Sequence, residues 1–176
     1  MIERTLSGKL KTLSRQFPVV AVMGPRQSGK TTLVRNVFPH LPYRSLDDFD
    51  TRALAENDPR RFLSDLQNGA ILDEAQKVPL IFSYLQTLVD EKKSKHPFIL
   101  TGSQNFLLME KITQSLAGRV AILKLLPFDL EELRNANLRF SSPYDYIFNG
   151  FYPPLYDRKI KPGDWYPTYL QTYIER

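Results

Sequence analysis

A short stretch near the N-terminus combines glycine, lysine and hydroxyl side chains in a spacing that suits phosphate binding. Residues 24–31, Gly-Pro-Arg-Gln-Ser-Gly-Lys-Thr, fit the pattern G-x-x-x-x-G-K-[ST]. The glycines allow successive backbone N–H groups to point at phosphate oxygens, and a helix that follows adds its positive end. We therefore expect phosphate contacts along the stretch, from Gly24, Pro25, Arg26, Gln27, Ser28, Gly29, Lys30, Thr31 and Thr32.

Two side chains of this stretch have distinct expected roles. Lys30 would reach the β- and γ-phosphates of a nucleotide as a mobile positive charge, and Thr31 would offer a hydroxyl ligand to Mg²⁺. The context favours this interpretation, because an apolar run precedes the stretch and a helical pattern follows it. The alternative is a chance match, or a loop that binds only free phosphate.

The second feature is an apolar run that ends in two acids. Residues 70–74 read Ala-Ile-Leu-Asp-Glu. A strand beside the phosphate loop would bring Asp73 to the coordination shell of Mg²⁺, and Glu74 would polarise a water for in-line attack on the γ-phosphate. The alternative is that the acids cap a helix, since Pro79 soon follows. The two interpretations differ in whether Glu74 affects turnover.

Two more apolar runs have polar residues at their ends. Residues 98–104 end in small polar side chains, where Ser103 is our candidate for sensing the γ-phosphate or holding the attacking water, and Thr101 is the second choice. A simple helix cap by Ser103 is the alternative. Arg119 directly precedes the run 120–126 and is a candidate catalytic cation, with pairing to a surface acid as the alternative.

A sheet is needed to position these side chains, and the apolar runs predict its strands at residues 17–23, 43–46, 70–73, 98–101 and 120–126. Helical spacing and capping signals predict helices at residues 2–15, 30–38, 79–91, 104–116 and 129–136, with two short helices within 50–67. Asp58-Pro59 is expected to open the second of these. The alternation of strands and helices predicts an α/β fold with a mostly parallel sheet. Little regular structure is expected in the Pro- and Tyr-rich residues 141–176.

Composition excludes several kinds of site. The absence of cysteine rules out disulfides, Cys-ligated zinc, iron–sulfur clusters and thiol catalysis, and two histidines make a His-rich metal site unexpected. The apolar run 19–23 is too short to span a bilayer and is followed by Gly-Pro-Arg-Gln rather than a cleavage site, so we expect a cytoplasmic protein without membrane association.

The net charge of +5 is unevenly distributed. Residues 1–44 contain eight Lys or Arg and one acid, which suits an anionic ligand. Lys9, Lys11 and Arg15 lie close together and are compatible with contact to nucleic acid, while a solvated helix face is the alternative.

The motifs, taken in order, resemble one family. Gly-Pro-Arg-Gln-x-Gly-Lys-Thr-Thr is followed by Leu-Asp-Glu-Ala-Gln, Leu-Thr-Gly-Ser, Ser-Leu-Ala-Gly-Arg-Val and Leu-x-Pro-Phe. This order is similar to that of the AAA_14/DUF4143 group, which are uncharacterised prokaryotic P-loop ATPases. Residues 150–153 and 169–176 resemble the join that leads into the DUF4143 region. The resemblance covers nearly the whole chain.

The resemblance implies a P-loop NTPase fold of ASCE/AAA+ type, in which the strand at 98–101 lies between the loop strand and the Asp-Glu strand. It implies ATP and Mg²⁺ as cofactors. It also places Arg119 where an arginine finger would reach the nucleotide of a neighbouring subunit, and thus implies a homo-oligomer.

The resemblance further predicts a nucleotide-binding core over residues 1–140, with 141–176 leading toward a C-terminal domain that this chain lacks. No helical lid with a second sensing arginine is recognisable. Weak ATP binding and slow turnover are therefore expected.

Three functions compete at this stage. The first is a Mg²⁺-dependent ATPase, and the absence of an Asn/Thr-Lys-x-Asp motif favours ATP over GTP. The second is a small-molecule kinase, which the strand-end Asp-Glu pair and the absence of an arginine-rich lid disfavour. The third is a nucleotide-dependent switch with little hydrolysis, associated with DNA through the basic N-terminal residues, although no helix-turn-helix is recognisable.

Overall fold

Five of the apolar runs form the strands of a parallel sheet. The computed structural model describes residues 2–91, 97–103, 112 and 114–174. The strands are β1 (Val19–Gly24), β2 (Tyr43–Ser45), β3 (Ala70–Asp73), β4 (Phe98–Ser103) and β5 (Val120–Lys124). Every described pairing is parallel, and the order across the sheet is β2-β3-β4-β1-β5. The strand with the loop, β1, is therefore separated from the Asp-Glu strand, β3, by β4, as the resemblance implied.

Five helices follow or precede these strands in the chain. They are α1 (Leu6–Gln16), α2 (Lys30–Val37), α3 (Phe49–Asn57), α4 (Pro59–Ser64) and α5 (Ile81–Glu91). The predicted start of α4 is confirmed, because the Asp58 side chain accepts a hydrogen bond from the Arg61 N–H and Pro59 occupies the first helical position. Most of the helix predicted at 104–116 lies outside the described residues.

The three central strands β1, β3 and β4 pack on both faces, which explains their nearly continuous apolar sequences. Along β1, Val19, Ala21 and Met23 contribute to one core cluster and Val20 and Val22 to the other. All six residues of β1 are buried. A strand in the middle of a parallel sheet has no solvated face, so the alternation of polar and apolar residues typical of surface strands is absent.

Contacts divide the described chain into two compact units. The sheet unit comprises the described residues within 6–24 and 30–125, and the helical unit those within 1–5, 25–29 and 126–174. The helical unit contains α6 (Leu130–Asn135), α7 (Pro143–Asn149), α8 (Pro153–Asp157) and α9 (Pro162–Tyr169), followed by a π-helical segment, Leu170–Ile174. The predicted division of the chain at residue 140 stays a prediction.

The expectation of little regular structure in residues 141–176 was wrong. Three helices in this region begin at a proline, at Pro143, Pro153 and Pro162. At the first helical position the missing N–H costs nothing and the ring pre-sets φ, so these prolines start helices instead of breaking them. An aromatic cluster around Trp165 and Tyr169, whose stacked rings lie 4.6 Å apart, fills the core of this unit.

Within the described residues, no helix has the length and apolar character needed to cross a membrane.

Candidate functional site

The lysine of the phosphate-binding pattern lies at the start of α2 and is buried. Its Nζ donates a hydrogen bond to the Gly24 carbonyl oxygen at 3.1 Å. A buried ammonium group requires hydrogen-bond acceptors, because desolvation without them is costly. The Lys30 ammonium group therefore lies against the first residue of the loop. Phosphate oxygens at this position would compete with the Gly24 carbonyl for its hydrogen bonds.

Residues 25–29 belong to the helical unit and form a tight turn. Gln27 and Gly29 have positive φ angles of 60° and 91°, and the Ser28 N–H donates to the Pro25 carbonyl at 3.4 Å. Gly29 needs the conformational freedom of glycine, since a side chain at this φ would be strained. The Ser28 hydroxyl is buried and has no hydrogen-bond partner among the residues that the structure describes.

An arginine from the N-terminal segment holds this turn. Arg4 is buried, and its Nη1 donates to the Ser28 carbonyl at 2.8 Å, while Nη2 donates to the Leu126 carbonyl at 2.6 Å. Its Nε forms a 3.0 Å ion pair with Glu132, and the guanidinium lies 4.9 Å from the centre of the Phe128 ring. Arg4 thus connects the turn to the chain around residues 126–132 within the helical unit.

Glu132 is the counterpart of Arg4 and is also almost fully buried. Its carboxylate accepts hydrogen bonds from the Thr5 N–H at 2.8 Å and from the Asp129 N–H at 3.1 Å. The second of these is half of a capping box, in which the Asp129 carboxylate accepts from the Glu132 N–H. A buried ion pair is tolerated only when its remaining polar atoms are satisfied, and this one meets that condition.

A second anchor of the turn comes from the aromatic cluster. The Tyr169 hydroxyl donates to the Arg26 carbonyl at 3.3 Å, and the Arg26 guanidinium lies 5.4 Å from the centre of the Tyr173 ring. Arg26 is thus engaged by the aromatic cluster of its own unit.

Asp73 is the last residue of β3 and gathers three hydroxyl groups from the sheet unit. Its carboxylate accepts from the Thr31 hydroxyl at 3.0 Å, from the Tyr43 hydroxyl at 2.7 Å and from the Thr101 hydroxyl. Burial, together with the hydrogen bond and negative charge of Asp73, raises the pKa of Tyr43 to about 12. Tyr43 therefore remains a neutral donor at physiological pH.

Carboxylate and hydroxyl oxygens are ligands that suit Mg²⁺, and Asp73 and Thr31 provide one of each. Among the described residues, no group of three or more His, Cys, Asp or Glu side chains could hold a metal ion by itself. Thr31 and Asp73 would supply two oxygen ligands to Mg²⁺. The remaining ligands of the ion would come from phosphate groups and water. A cavity of about 410 Å³ is lined by Thr31, Tyr43 and Thr32, which follows Thr31 on the same helix.

Glu74 directly follows β3, Ser103 ends the neighbouring strand β4, and the two residues share one hydrogen-bond partner. The Gln76 Nε2 donates to the Glu74 carboxylate and, at 3.3 Å, to the Ser103 hydroxyl. Ser103 ends β4 in register with Gly24, the first residue of the phosphate-binding pattern. The capping alternative for the acids finds no support, because the Glu74 side chain makes no capping hydrogen bond and the next α-helix begins only at Ile81.

Arg119 lies at the opposite end of the sheet. Its carbonyl accepts from the Val19 N–H at 3.2 Å, so it lies where β1 begins, whereas the phosphate-binding pattern follows the end of β1. The guanidinium is paired with Asp90 through two hydrogen bonds of 2.6 and 2.8 Å. Within one chain, Arg119 therefore pairs with a surface acid, which was the alternative interpretation of this residue from the sequence.

Within the sheet unit, the structure brings some of the predicted residues together and keeps one of them apart. Thr31 contacts Asp73, and Gln76 links Glu74 to Ser103, while Arg119 is separated from them by the length of β1. Sequence reasoning missed Arg4, Tyr43 and Gln76. Only Gln76 had a signal, since it belongs to the Leu-Asp-Glu-Ala-Gln motif that carried the resemblance.

A family model described as an AAA domain, AAA_14, matches residues 16–134. The chain belongs to this family. Two uncharacterised proteins, Mb2031c of Mycobacterium bovis and Rv2008c of Mycobacterium tuberculosis, are each 32% identical to this AAA_14 chain over 179 residues. The match covers 98% of this chain but only 39% of each relative, so the chain spans about two fifths of the length of the curated relatives it matches.

Solved structures of other proteins have the same fold. The Walker-type ATPase PABY2304 of Pyrococcus abyssi superposes with a TM-score of 0.59 at 19% identity, covering 98% of this chain and 72% of that one. A single-substitution variant of RuvB from Thermotoga maritima gives a TM-score of 0.51 at 19% identity. This match covers 76% of this AAA_14 chain and 49% of the RuvB chain. The predicted fold class, a P-loop NTPase of ASCE/AAA+ type with a mostly parallel sheet, is confirmed.

Proposed function

We propose that this AAA_14 domain binds ATP with Mg²⁺ and hydrolyses it to ADP and phosphate. The observation that carries the proposal is the contact between Thr31 and Asp73, because it joins the first turn of α2 to the acid at the end of β3. Glu74, the next residue, would then lie within reach of a water near the same phosphate groups. Membership of the AAA_14 family supports nucleotide binding independently.

Each residue has a defined part in this proposal. Lys30 and the N–H groups of residues 26–32 would bind the triphosphate, and Thr31 and Asp73 would hold the metal ion. Mg²⁺, when bound, would neutralise charge on the phosphate oxygens. Glu74 would accept a proton from the attacking water, and Ser103 would hold that water or sense the γ-phosphate.

Two substitutions test the proposal. Lys30→Ala should abolish binding of ATP–Mg²⁺ in a calorimetric titration, because its charge would serve the phosphates. Glu74→Gln should retain ATP binding but lose phosphate release, because an amide can hold water and cannot take its proton. Unchanged affinity in Lys30→Ala contradicts nucleotide binding at this loop, and wild-type hydrolysis in Glu74→Gln contradicts the role of Glu74.

The second candidate is a nucleotide-dependent switch that binds DNA and hydrolyses little ATP. It is favoured by α1, which exposes Lys9, Lys11 and Arg15 and carries no acid. DNA affinity measured at several salt concentrations, with and without ATP, separates the two candidates, because phosphate contacts through these residues would give a steep salt dependence. A cytoplasmic location and a homo-oligomer remain parts of our proposal.

A further inference from the structure

Gln76 is the side chain that joins the two residues we assign to water activation. Its amide nitrogen donates to the Glu74 carboxylate and to the Ser103 hydroxyl. These residues come from the ends of β3 and β4, so a single amide spans two neighbouring strands. None of the roles assigned so far uses this amide.

The orientation of the amide follows from its neighbour. An ionised carboxylate only accepts hydrogen bonds, so the NH₂ group of Gln76 has to face Glu74 and the carbonyl oxygen has to face elsewhere. That oxygen, Oε1, is buried and has no hydrogen-bond partner among the residues that the structure describes. A buried amide oxygen is costly without a donor, so we expect a donor such as a water molecule at this position.

The backbone conformation brings the Gln76 side chain next to the Glu74 carboxylate. Glu74 has a positive φ of 55°, and residues Ala75–Lys77 form a single 3₁₀ turn in which the Lys77 N–H donates to the Glu74 carbonyl at 3.0 Å. Glutamate rarely adopts this conformation, and such strain is typical of functional sites. The turn allows the side chain of residue 76 to fold back onto the carboxylate two residues earlier.

We propose that Gln76 is a catalytic residue of ATP hydrolysis in this domain. Its NH₂ group orients the Glu74 carboxylate and the Ser103 hydroxyl, and its Oε1 accepts a hydrogen bond from the attacking water. The position supports this role, since Ser103 is in register with Gly24 at the start of the phosphate-binding pattern. This inference rests on the proposed function.

The chemical step leaves the amide unchanged. The water oxygen forms a bond to the γ-phosphorus while the bond from that phosphorus to the β–γ bridging oxygen breaks, and the electron pair of the broken bond leaves with ADP. One water proton passes to Glu74. The Gln76 Oε1 accepts a hydrogen bond from the other hydrogen of the water. Gln76 neither gains nor loses a proton, so it contributes orientation rather than acid–base chemistry.

The test compares three variants in steady-state ATP hydrolysis. Gln76→Ala removes the amide, Gln76→Met removes it while keeping the side-chain length, and Gln76→Glu keeps an acceptor oxygen but loses both donated hydrogen bonds. All three should lower kcat about 10- to 100-fold while KM and the affinity for a non-hydrolysable ATP analogue change less than about twofold. A purely structural role would change stability, so the thermal midpoint of Gln76→Met should stay near that of the unaltered chain.

Gln16→Ala is the matched control, because Gln16 is an exposed glutamine at the end of α1. It should retain full activity. If the unaltered chain hydrolyses ATP and Gln76→Ala keeps its kcat or exceeds it, the Gln76 proposal alone is overturned. If the unaltered chain releases no phosphate, the proposed function fails and this inference fails with it.

Discussion

Asp73 receives its three hydroxyl partners from three different elements of the sheet unit. Thr31 comes from α2, Tyr43 from β2 and Thr101 from β4. Hydrogen bonds to an ionised acceptor are stronger than neutral ones, so the carboxylate is held in one orientation before any metal arrives. This pre-ordering is what a metal ligand needs, because a freely rotating acid would lose entropy on binding.

Asp73→Asn should therefore weaken both the binding of ATP and the affinity of the site for Mg²⁺. The amide has the same size but lacks the charge that attracts the cation, and half of its polar atoms are donors. We expect the Mg²⁺ concentration needed for half-maximal hydrolysis to rise at least about tenfold, measured by phosphate release across a Mg²⁺ series. Asp65→Asn, at an exposed acid after α4, is the control. An identical Mg²⁺ requirement in Asp73→Asn would show that Asp73 is not a ligand.

Local sequence was enough to predict the acids but not the side chains that contact them. Asp73 and Glu74 follow an uninterrupted apolar run, so their place at the end of a strand could be read directly. Tyr43 reaches Asp73 because β2 is the neighbour of β3, and Gln76 reaches Glu74 because Glu74 has a positive φ. Strand order and a strained φ are not encoded in short patterns, and both contacts were therefore missed.

At the scale of elements, the strands were predictable and the last helices were not. β3 was predicted to the residue, since the acids end the apolar run as sharply as the strand ends. The helices after residue 141 were missed because the Pro- and Tyr-rich composition was taken to indicate little regular structure. A better interpretation needed the capping box formed by Ser142 and Asp145, which begins α7 at Pro143.

The junction after α7 depends on a glycine that has little space. Gly150 has a φ of 69°, and a Cβ atom there would lie 1.6 Å from the Tyr166 hydroxyl oxygen. That hydroxyl donates to the Asn149 carbonyl at 3.3 Å, so the ring cannot move aside without losing this contact. Gly118 has a similar φ of 75°, but a Cβ atom there would meet no described atom within 4 Å, which makes it a matched comparison.

Gly150→Ala should destabilise the protein by about 2–4 kcal/mol, combining overpacking with backbone strain. Gly118→Ala should cost only the strain, about 1 kcal/mol. Urea unfolding followed by circular dichroism measures both. Equal losses for the two variants would mean that Tyr166 moves aside freely and that packing at α7 is unimportant.

At the scale of the whole molecule, the position of Arg119 distinguishes a role at the site of its own chain from a role at the site of a neighbouring copy. The site residues lie at the carboxyl ends of the strands, whereas Arg119 precedes β5 and lies beside the start of β1. The six residues of β1 span roughly 20 Å, beyond the reach of an arginine side chain. Arg119 can therefore act on a nucleotide only in a neighbouring copy, after leaving Asp90.

If Arg119 acts in this way, specific ATPase activity should rise with protein concentration, and Arg119→Ala should flatten that rise without changing ATP affinity. Mixing Arg119→Ala with Glu74→Gln should partly restore activity, because some interfaces would combine an intact base with an intact arginine. Asp90→Ala removes the same ion pair but keeps the arginine, so it should retain the concentration dependence. If Asp90→Ala and Arg119→Ala behave alike, and mixing restores nothing, the pair is structural.

The buried guanidinium of Arg4 sets a limit on where the protein can be shortened. The family match begins at residue 16, so a fragment cut to residues 16–134 would lose Arg4 and would leave Glu132 without its partner. It would also lose Leu10, which is fully buried in one of the two core clusters. We expect that fragment to aggregate in size-exclusion chromatography while a chain of residues 2–174 stays dispersed. A tag fused at the N-terminus should be separated from Arg4 by a flexible spacer, since the boundary of the family match and the boundary of a foldable unit differ here by more than a helix.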